Sequence, residues 1–253
     1  MAVPTIALDT RSPEAVDGRQ IRAVAFQEVR LAYVSGVLND HGLVAVGRRA
    51  LVVGSGRGLL ARGLAGLGFE VTAVDPSPTA TAMAREADDG AAVEYHTAPA
   101  EDPRLPEAAF DLAYYADTFE ITSDLDRVVG HASRALKPDG LLVYDTVNRT
   151  LPSRLVYLLA FQTLPMTRIM PAGRYASARL RTPGEMTAAL ARHGLRNDDV
   201  CGFKPRRIRN LVTATLARRR GEITDDGIPA MADFVLDPHG RPVVTYLGHA
   251  RKV

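Results

Sequence analysis

The sequence predicts an α/β fold built on a doubly wound, mostly parallel β-sheet. Predicted strands and helices alternate from residue 49 to residue 148, which is the pattern of such a sheet. A glycine-rich turn, "GSGRG" at 54–58, follows the first strand, and Asp75 closes the second strand. Because ligands of open α/β sheets bind at the carboxyl ends of the strands, the turn and the acid mark a binding edge.

Short apolar runs and helical periodicity predict the individual elements. The predicted strands are 49–54, 69–75, 92–98, 110–117 and 141–148, with a last, antiparallel strand within 241–253. Helices are predicted at 21–38, 60–68 and 78–87, and after Ser123, which stands three residues before Asp126 as in a capping box. The "KPDG" stretch at 137–140 is predicted to be a turn, and residues 1–20 a loosely ordered arm.

Beyond residue 148 the alternation stops. The segment 151–170 is apolar and helix-like, with an interruption at Pro165. Thr182 and Glu185 form a capping box with Pro183 at the first helical position, and Gly194 ends that helix. We therefore expect a structure over the sheet that is distinct from the alternating core.

The charge balance of the chain does not indicate a nucleic-acid or acidic partner. The 253 residues include 31 Lys+Arg and 29 Asp+Glu, a net charge of +2 that requires neither nucleic acid nor an acidic partner. Seven basic residues lie between 204 and 220 without interleaved aromatics, which predicts a solvated face rather than a nucleic-acid platform. That face retains the capacity to attract an acidic substrate or an anionic membrane surface.

The single cysteine, Cys201, allows neither a disulfide nor a cysteine metal site within the chain, and we expect it to be a small buried hydrophobe. A cytoplasmic location fits this cysteine usage. The N-terminus has acids and prolines where a signal peptide would have a basic and an apolar region, and no transmembrane helix is expected.

The spacing at the binding edge favours a nucleoside ligand. Asp75 follows Gly54 by 21 positions. At this position a carboxylate can accept hydrogen bonds from both hydroxyls of a ribose. A dinucleotide-binding turn has the form G-x-G-x-x-G, but Leu59 stands at its third glycine position, which disfavours a nicotinamide-dependent dehydrogenase. The observed G-x-G-x-G is the spacing used for S-adenosylmethionine, which has no phosphate to bind. The glycines alone would also fit a tight turn without a ligand.

With "PAED" (99–102), "FDLAYYAD" (110–117) and "LKPDGLL" (136–142) in order after Asp75, the chain resembles the class I S-adenosylmethionine-dependent methyltransferases. More narrowly it is similar to the 3-O-methyltransferases of ubiquinone biosynthesis, through "RLAYV" (30–34), "VNRTLPSRL" (147–155) and "MPAGRYASARLRTPGEM" (170–186). The resemblance implies a Rossmann-like sheet of seven strands in one domain. Its parts would be an N-terminal helical arm (1–40), a cofactor-binding core (45–148), a substrate lid (149–220) and C-terminal strands (221–253).

The resemblance also implies the residues of an S-adenosylmethionine site. They are Gly54 and Gly56 at the methionine moiety with Ser55 between them, Asp75 at the ribose with Pro76 beside it, Ala100 and Glu101 at the adenine, Ala116 at the sulfonium, and Arg30 near the carboxylate.

Three positions depart from the family pattern. Val52 replaces an acid that helps to position the amino-acid end of the cofactor. The relatives carry an acid-x-x-Glu-His cluster that could hold a divalent cation and acidify a catechol; this chain has Asp117 and Glu120 but Ile121 in place of the histidine. The two acids remain candidate Mg²⁺ ligands, or are loop acids near the start of the next helix. Tyr175 replaces a loop histidine.

These features predict an enzyme that methylates an oxygen of a phenolic or quinone-like lipophilic small molecule in specialised metabolism, with Tyr175, Asp117 and Glu120 as candidate catalytic residues. The apolar segment 151–170 is either ordinary core or a lid that touches a membrane surface. Methylation of nitrogen or carbon, and a fold repurposed for cyclisation or isomerisation, remain open. The oligomeric state is also open, and a homodimer is compatible with the sequence.

Overall fold

The computed structural model describes residues 4–253, and a single β-sheet organises them. Its strands are β1 (Arg49–Val53), β2 (Glu70–Asp75), β3 (Val93–Thr97), β4 (Phe110–Tyr115), β5 (Leu136–Val147), β6 (Leu195–Pro205), β7 (Phe234–Asp237) and β8 (Thr245–Lys252). Their order in the sheet is β3-β2-β1-β4-β5-β8-β6-β7.

Helices cover both faces of the sheet and its carboxyl end. They are α1 (Gly18–Asp40), α2 (Leu59–Gly66), α3 (Pro78–Glu86), α4 (Leu125–Ala135), α5 (Leu151–Ser153), α6 (Pro183–Arg192), α7 (Ile208–Arg219) and α8 (Ile228–Met231). The short α5 continues as a π-helix over Arg154–Ala160. Within residues 4–253 no helix combines the length and the apolar character that crossing a bilayer requires.

The prediction of a doubly wound, mostly parallel sheet is confirmed. Strands β1 to β5 pair in parallel, whereas β8 lies between β5 and β6 and is antiparallel to both, as predicted for the C-terminal strand. The sheet has eight strands rather than seven, because β7 adds to the edge of β6.

Several local predictions differ from the structure. Helix α4 is capped by Asp124, whose side chain accepts from the Arg127 amide, and not by the neighbouring Ser123. The "KPDG" residues lie inside β5 as an irregularity in its pairing with β4, where Asp139 has a φ of +60°. The described part of the N-terminal arm is held in place, since Ile6 forms a bridge with Val16; residues 1–3 lie outside the described residues.

The basic segment 204–220 is not a uniformly solvated face, and that prediction is wrong for two of its residues. Arg218 and Arg219 are buried. Arg218 Nε lies 2.6 Å from Asp225 Oδ1, and Arg219 donates to the backbone carbonyl of Pro165 at 3.1 Å. Asp225 closely follows α7, whereas Pro165 and the carbonyl of Ala15, to which Arg218 also donates, are remote in sequence, so the arginines hold α7 against the rest of the chain. Cys201 is buried, as predicted.

Helix α1 is fixed to the sheet by buried polar and apolar contacts. Arg30 Nη2 lies 2.8 Å from Asp145 Oδ2 on β5, and Tyr114 on β4 donates to Asp145 Oδ1 at 3.1 Å. Phe26 packs edge-on against Phe203 and against Phe234, each with ring centroids 4.8 Å apart. Burial raises the pKa of Asp145 to about 7, and the opposing effect of the Arg30 guanidinium is smaller.

We expect this carboxyl to make stability depend on pH. Because the pKa of Asp145 rises from 3.8 to about 7 on folding, the folded chain binds a proton that the unfolded chain releases. The free energy of unfolding of the ligand-free protein therefore falls as the pH rises from about 4 to about 7. Urea unfolding at pH 5 and pH 8 measures this difference, which is expected to be smaller in Asp145→Asn.

The matched control is Asp233→Asn. The Asp233 side chain is 44% exposed, and Arg206 lowers its pKa, so Asp233 titrates below this window and its replacement leaves the pH difference unchanged. If the free energy of unfolding changes equally between pH 5 and pH 8 in wild type and in Asp145→Asn, the assignment to Asp145 is contradicted.

Candidate active site

The turn after β1 packs against the loop after β4. Gly54 has a φ of +78°, a conformation that L side chains rarely adopt. A Cβ at this position would lie 2.3 Å from the carbonyl oxygen of Ala116. Glycine is therefore required here by both backbone conformation and space, and the two loops form one side of a cavity at the carboxyl end of the sheet.

This cavity brings together most of the predicted cofactor-binding residues. Its lining includes Arg30, Gly54, Ser55, Gly56, Pro76, Ala100, Glu101 and Ala116. Asp75 is fully buried beside it and accepts hydrogen bonds from the amides of Gly56 at 2.8 Å and Ser77 at 2.9 Å. We call it the cofactor cavity.

An arginine that sequence reasoning missed covers Asp75. Arg19 Nη2 lies 2.5 Å from Asp75 Oδ2, and Arg19 Nη1 lies 2.6 Å from Asp9 Oδ2 on the N-terminal arm. The free volume of the cofactor cavity is about 130 Å³, below the ~300 Å³ at which small-molecule pockets usually start. Arg19 is thus paired with Asp75, the carboxylate that the resemblance predicts would bind the ribose.

Two arginines of α1 contact the predicted catalytic residues. Arg22 Nη2 pairs with Asp117 Oδ1 and lies 3.1 Å from Glu120 Oε1, while Arg22 Nη1 donates to the Tyr175 hydroxyl at 2.8 Å. Arg30 Nη2 lies 2.9 Å from Asp117 Oδ2. We call these five residues the charged cluster. Sequence reasoning missed Arg22, which has no motif around it.

Burial and charge set the protonation of the cluster. Burial raises the pKa of Asp117, but Arg22 and Arg30 outweigh it and hold the pKa well below its usual range. Burial raises the pKa of Glu120, against the effect of Arg22. Burial also raises the pKa of Tyr175 to about 12. Tyr175 therefore keeps its proton at neutral pH and is unsuited to be a general base, which leaves the two carboxylates for that role.

The predicted Mg²⁺ ligands do not fit a divalent cation in this arrangement. A metal bound by Asp117 and Glu120 would need their oxygens to face it. Instead, one oxygen of each carboxylate faces the guanidinium of Arg22, and the second oxygen of Glu120 accepts from Thr146 at 3.0 Å. The positive charge of Arg22 would also repel a second cation at the same place.

A second, larger cavity lies on the other side of α1. Its volume is about 640 Å³, and we call it the apolar cavity. Its apolar lining includes Ile21, Phe26, Tyr157, Phe161, Ile169 and Leu211. Polar and charged side chains that also line it include Arg22, Lys204, Arg206 and Asp237.

The segment 151–170 forms part of this cavity and also reaches the surface. Tyr157 and Ile169 are buried. Other apolar side chains of the segment point to solvent, with exposed fractions of 70% for Leu151, 51% for Leu155, 43% for Leu159, 43% for Leu164 and 65% for Met166. The segment is thus neither simple core nor an ordinary polar surface.

Comparisons with known proteins identify the family of the chain. The family model described as "Methyltransferase domain" matches residues 51–144. The ubiquinone biosynthesis O-methyltransferase of Xanthomonas axonopodis pv. citri is 32% identical over 190 residues, which are 74% of this chain and 77% of that protein. The protein of the same name from Xylella fastidiosa (strain M23) is 32% identical over 195 residues, covering 75% and 76%.

Solved structures share the fold at lower identity. An S-adenosylmethionine-dependent methyltransferase from Mesorhizobium loti has a TM-score of 0.54 at 20% identity, covering 86% of this chain and 96% of that chain. One from Aquifex aeolicus has a TM-score of 0.56 at 16% identity, covering 92% and 93%. The chain belongs to the class I S-adenosylmethionine-dependent methyltransferases, and its sequence is similar to the ubiquinone biosynthesis O-methyltransferases.

Proposed function

We propose that the enzyme methylates an oxygen of a phenolic or quinone-like lipophilic small molecule, in specialised metabolism. The observation that carries the proposal is the apolar cavity and its junction with the cofactor cavity. Asp117 lines the cofactor cavity, Arg22 lines the apolar cavity, and the two side chains form an ion pair. An acceptor in the apolar cavity thus has its polar end at the charged cluster. The names of the relatives support oxygen as the acceptor atom.

The chain's residues bind and orient the two reactants, and one proton leaves the acceptor for solvent. When bound, S-adenosylmethionine supplies an electrophilic methyl group, which bonds to the acceptor oxygen while the electron pair of the broken C–S bond stays on sulfur. The walls of the two cavities hold oxygen and methyl carbon close together, and such positioning supplies a large share of the acceleration.

Asp117 is the carboxylate placed to accept a hydrogen bond from the phenol. It lines the cofactor cavity, whereas the side chain of Glu120 is fully buried behind Arg22. Arg22 and Arg30 keep the pKa of Asp117 low, so Asp117 is a weak base, and the same two arginines favour the negative charge that develops on the acceptor oxygen. The proton of the phenol therefore ends in solvent.

We further propose that segment 151–170 contacts a membrane surface. Its solvent-facing leucines and Met166 would enter the interface, and Arg154 and Arg168 would lie near anionic headgroups. A lipophilic acceptor dissolved in that membrane would then reach the apolar cavity along the same segment.

Cofactor binding is the first expected outcome. Titration calorimetry is expected to give micromolar binding of S-adenosylmethionine and S-adenosylhomocysteine and none of NADH. Asp75→Asn is expected to weaken adenosyl binding about 10-fold or more, since a hydrogen bond to a charged group contributes roughly 1.5–3 kcal/mol. Asp102→Asn, at a half-exposed acid beside Glu101, is the control. A folded wild type that binds neither adenosyl ligand would overturn the proposed function.

Acceptor preference is the second expected outcome. Among phenols that carry unbranched alkyl tails, kcat/KM is expected to rise several-fold per methylene until the cavity is full, since a buried methylene contributes about 0.8 kcal/mol. Leu211→Trp narrows the cavity and is expected to abolish this rise without changing the Kd for S-adenosylmethionine. Val212→Trp, at the exposed neighbouring position, is the matched control. Tail-independent kcat/KM in the wild type would argue against the apolar cavity as the acceptor site.

Membrane contact is the third expected outcome. Wild type is expected to sediment with vesicles of phosphatidylglycerol and phosphatidylcholine, and Leu155→Ser with Met166→Ser to lose most of this binding. The control is Ile208→Ser, which removes an apolar side chain that is 74% exposed but lies outside the segment. Equal sedimentation of the double variant and the wild type would contradict the assignment.

A further inference from the structure

Arg22 has a hydrogen-bond donor that the described residues do not use. Its side chain is 3% exposed, and its two terminal nitrogens contact Asp117, Glu120 and Tyr175. Its Nε has no hydrogen-bond partner among residues 4–253. A buried donor without an acceptor costs roughly 1–3 kcal/mol. Because Arg22 also lines the apolar cavity, a ligand in that cavity is a partner that could satisfy Nε once the side chain turns this nitrogen toward it.

The surroundings of Arg22 suit a flat, electron-rich ligand. The guanidinium carbon lies 5.0 Å from the ring centroid of Tyr157, 5.3 Å from that of Phe26 and 5.7 Å from that of Tyr175. These rings hold the guanidinium by cation–π contacts and form an aromatic wall around it. An aromatic acceptor would meet rings on its faces and a fixed cation at its oxygen.

Arg22 also stands where a divalent cation would have to stand. It contacts both candidate metal-ligand carboxylates through one nitrogen, Nη2. A guanidinium remains charged at any accessible pH, so it is a permanent cation at this position. The histidine that would complete a metal site is replaced by Ile121, which has no donor atom.

We propose that Arg22 binds the acceptor's phenolate oxygen through Nε and replaces a divalent metal in this enzyme. The inference rests on the proposed function, and its ligand class is an ionised phenol or enol with an apolar body. The phenol releases its proton to solvent, and the resulting anion is stabilised by the guanidinium, which neither gives nor takes a proton. Arg22 is then a catalytic residue that touches the reacting oxygen.

The first test uses a chromophoric ligand and needs no methyl transfer. A 4-alkyl-2-nitrophenol is titrated by absorbance in the presence of wild type, Arg22→Lys or Arg22→Gln. The pKa of the bound phenol is expected to fall by at least one unit in wild type, to fall less in Arg22→Lys, and to stay near the free value in Arg22→Gln. Arg48→Gln, at an arginine 45% exposed in its pair with Asp111, is the matched control. Identical pKa values of the bound phenol in wild type and Arg22→Gln would overturn the proposal.

The second test measures the metal directly. Calorimetry with Mn²⁺ is expected to show no binding to wild type and binding to Arg22→Gln, in which Glu120 loses its cation and Asp117 keeps only its pair with Arg30. Methyl transfer by wild type is expected to be unaffected by EDTA. Binding of Mn²⁺ to wild type, or loss of activity in EDTA, would overturn the proposal even if neither variant folds.

The two proposals fail in different ways. If the protein binds ionised nitrophenol at Arg22 but transfers methyl to no phenol, the proposed function is overturned and the anion-binding role of Arg22 stands. If the wild type methylates phenols but the pKa of the bound nitrophenol is the same in Arg22→Gln as in wild type, the role of Arg22 is overturned and the proposed function stands.

Discussion

The ion pairs that α1 makes through Arg22 and Arg30 determine the arrangement of the whole site. They join the first helix to the loop after β4 and to the carboxyl-terminal part of β5, three separate segments of the chain. Taking these charges out of water is costly, so buried pairs of this kind are weak evidence for net stability. Loss of one partner leaves an uncompensated buried charge, typically at a cost of about 3–5 kcal/mol. The pairs therefore specify where α1 lies.

The position of α1 in turn defines two cavities with different chemistry. Its residues Arg19, Ala23 and Arg30 line the cofactor cavity, whereas Ile21, Arg22, Ala25 and Phe26 line the apolar cavity. The division follows from helical geometry, because neighbouring residues on a helix point in different directions. Arg19 additionally covers Asp75, so a ribose can reach that carboxylate only when this arginine has moved.

The core from β1 to β5 was predictable because its signals are local. Apolar runs, the spacing from Gly54 to Asp75 and the fold they imply all lie within about a hundred residues. Arg19 and Arg22 were not predictable, because their partners Asp75 and Asp117 are more than fifty positions away and no spacing connects them. The burial of Arg218 was not predictable either, because Arg218 donates to the carbonyl of Ala15 in the N-terminal arm, 203 positions away, as well as to the nearby Asp225. The capping-box spacing predicted Ser123 as the cap of α4, but the next residue, Asp124, is the one whose side chain accepts from the Arg127 amide.

The shared helix has a consequence for the kinetics of a two-substrate enzyme. Since one rigid element walls both cavities, a ligand that shifts α1 on entering one cavity changes the shape of the other. Linkage then requires each ligand to alter the affinity of the other by the same factor. A spent methyl donor that displaces α1 would accordingly alter the affinity for the methylated product, and this coupling would run through Arg22 and Arg30, the two arginines that anchor the helix.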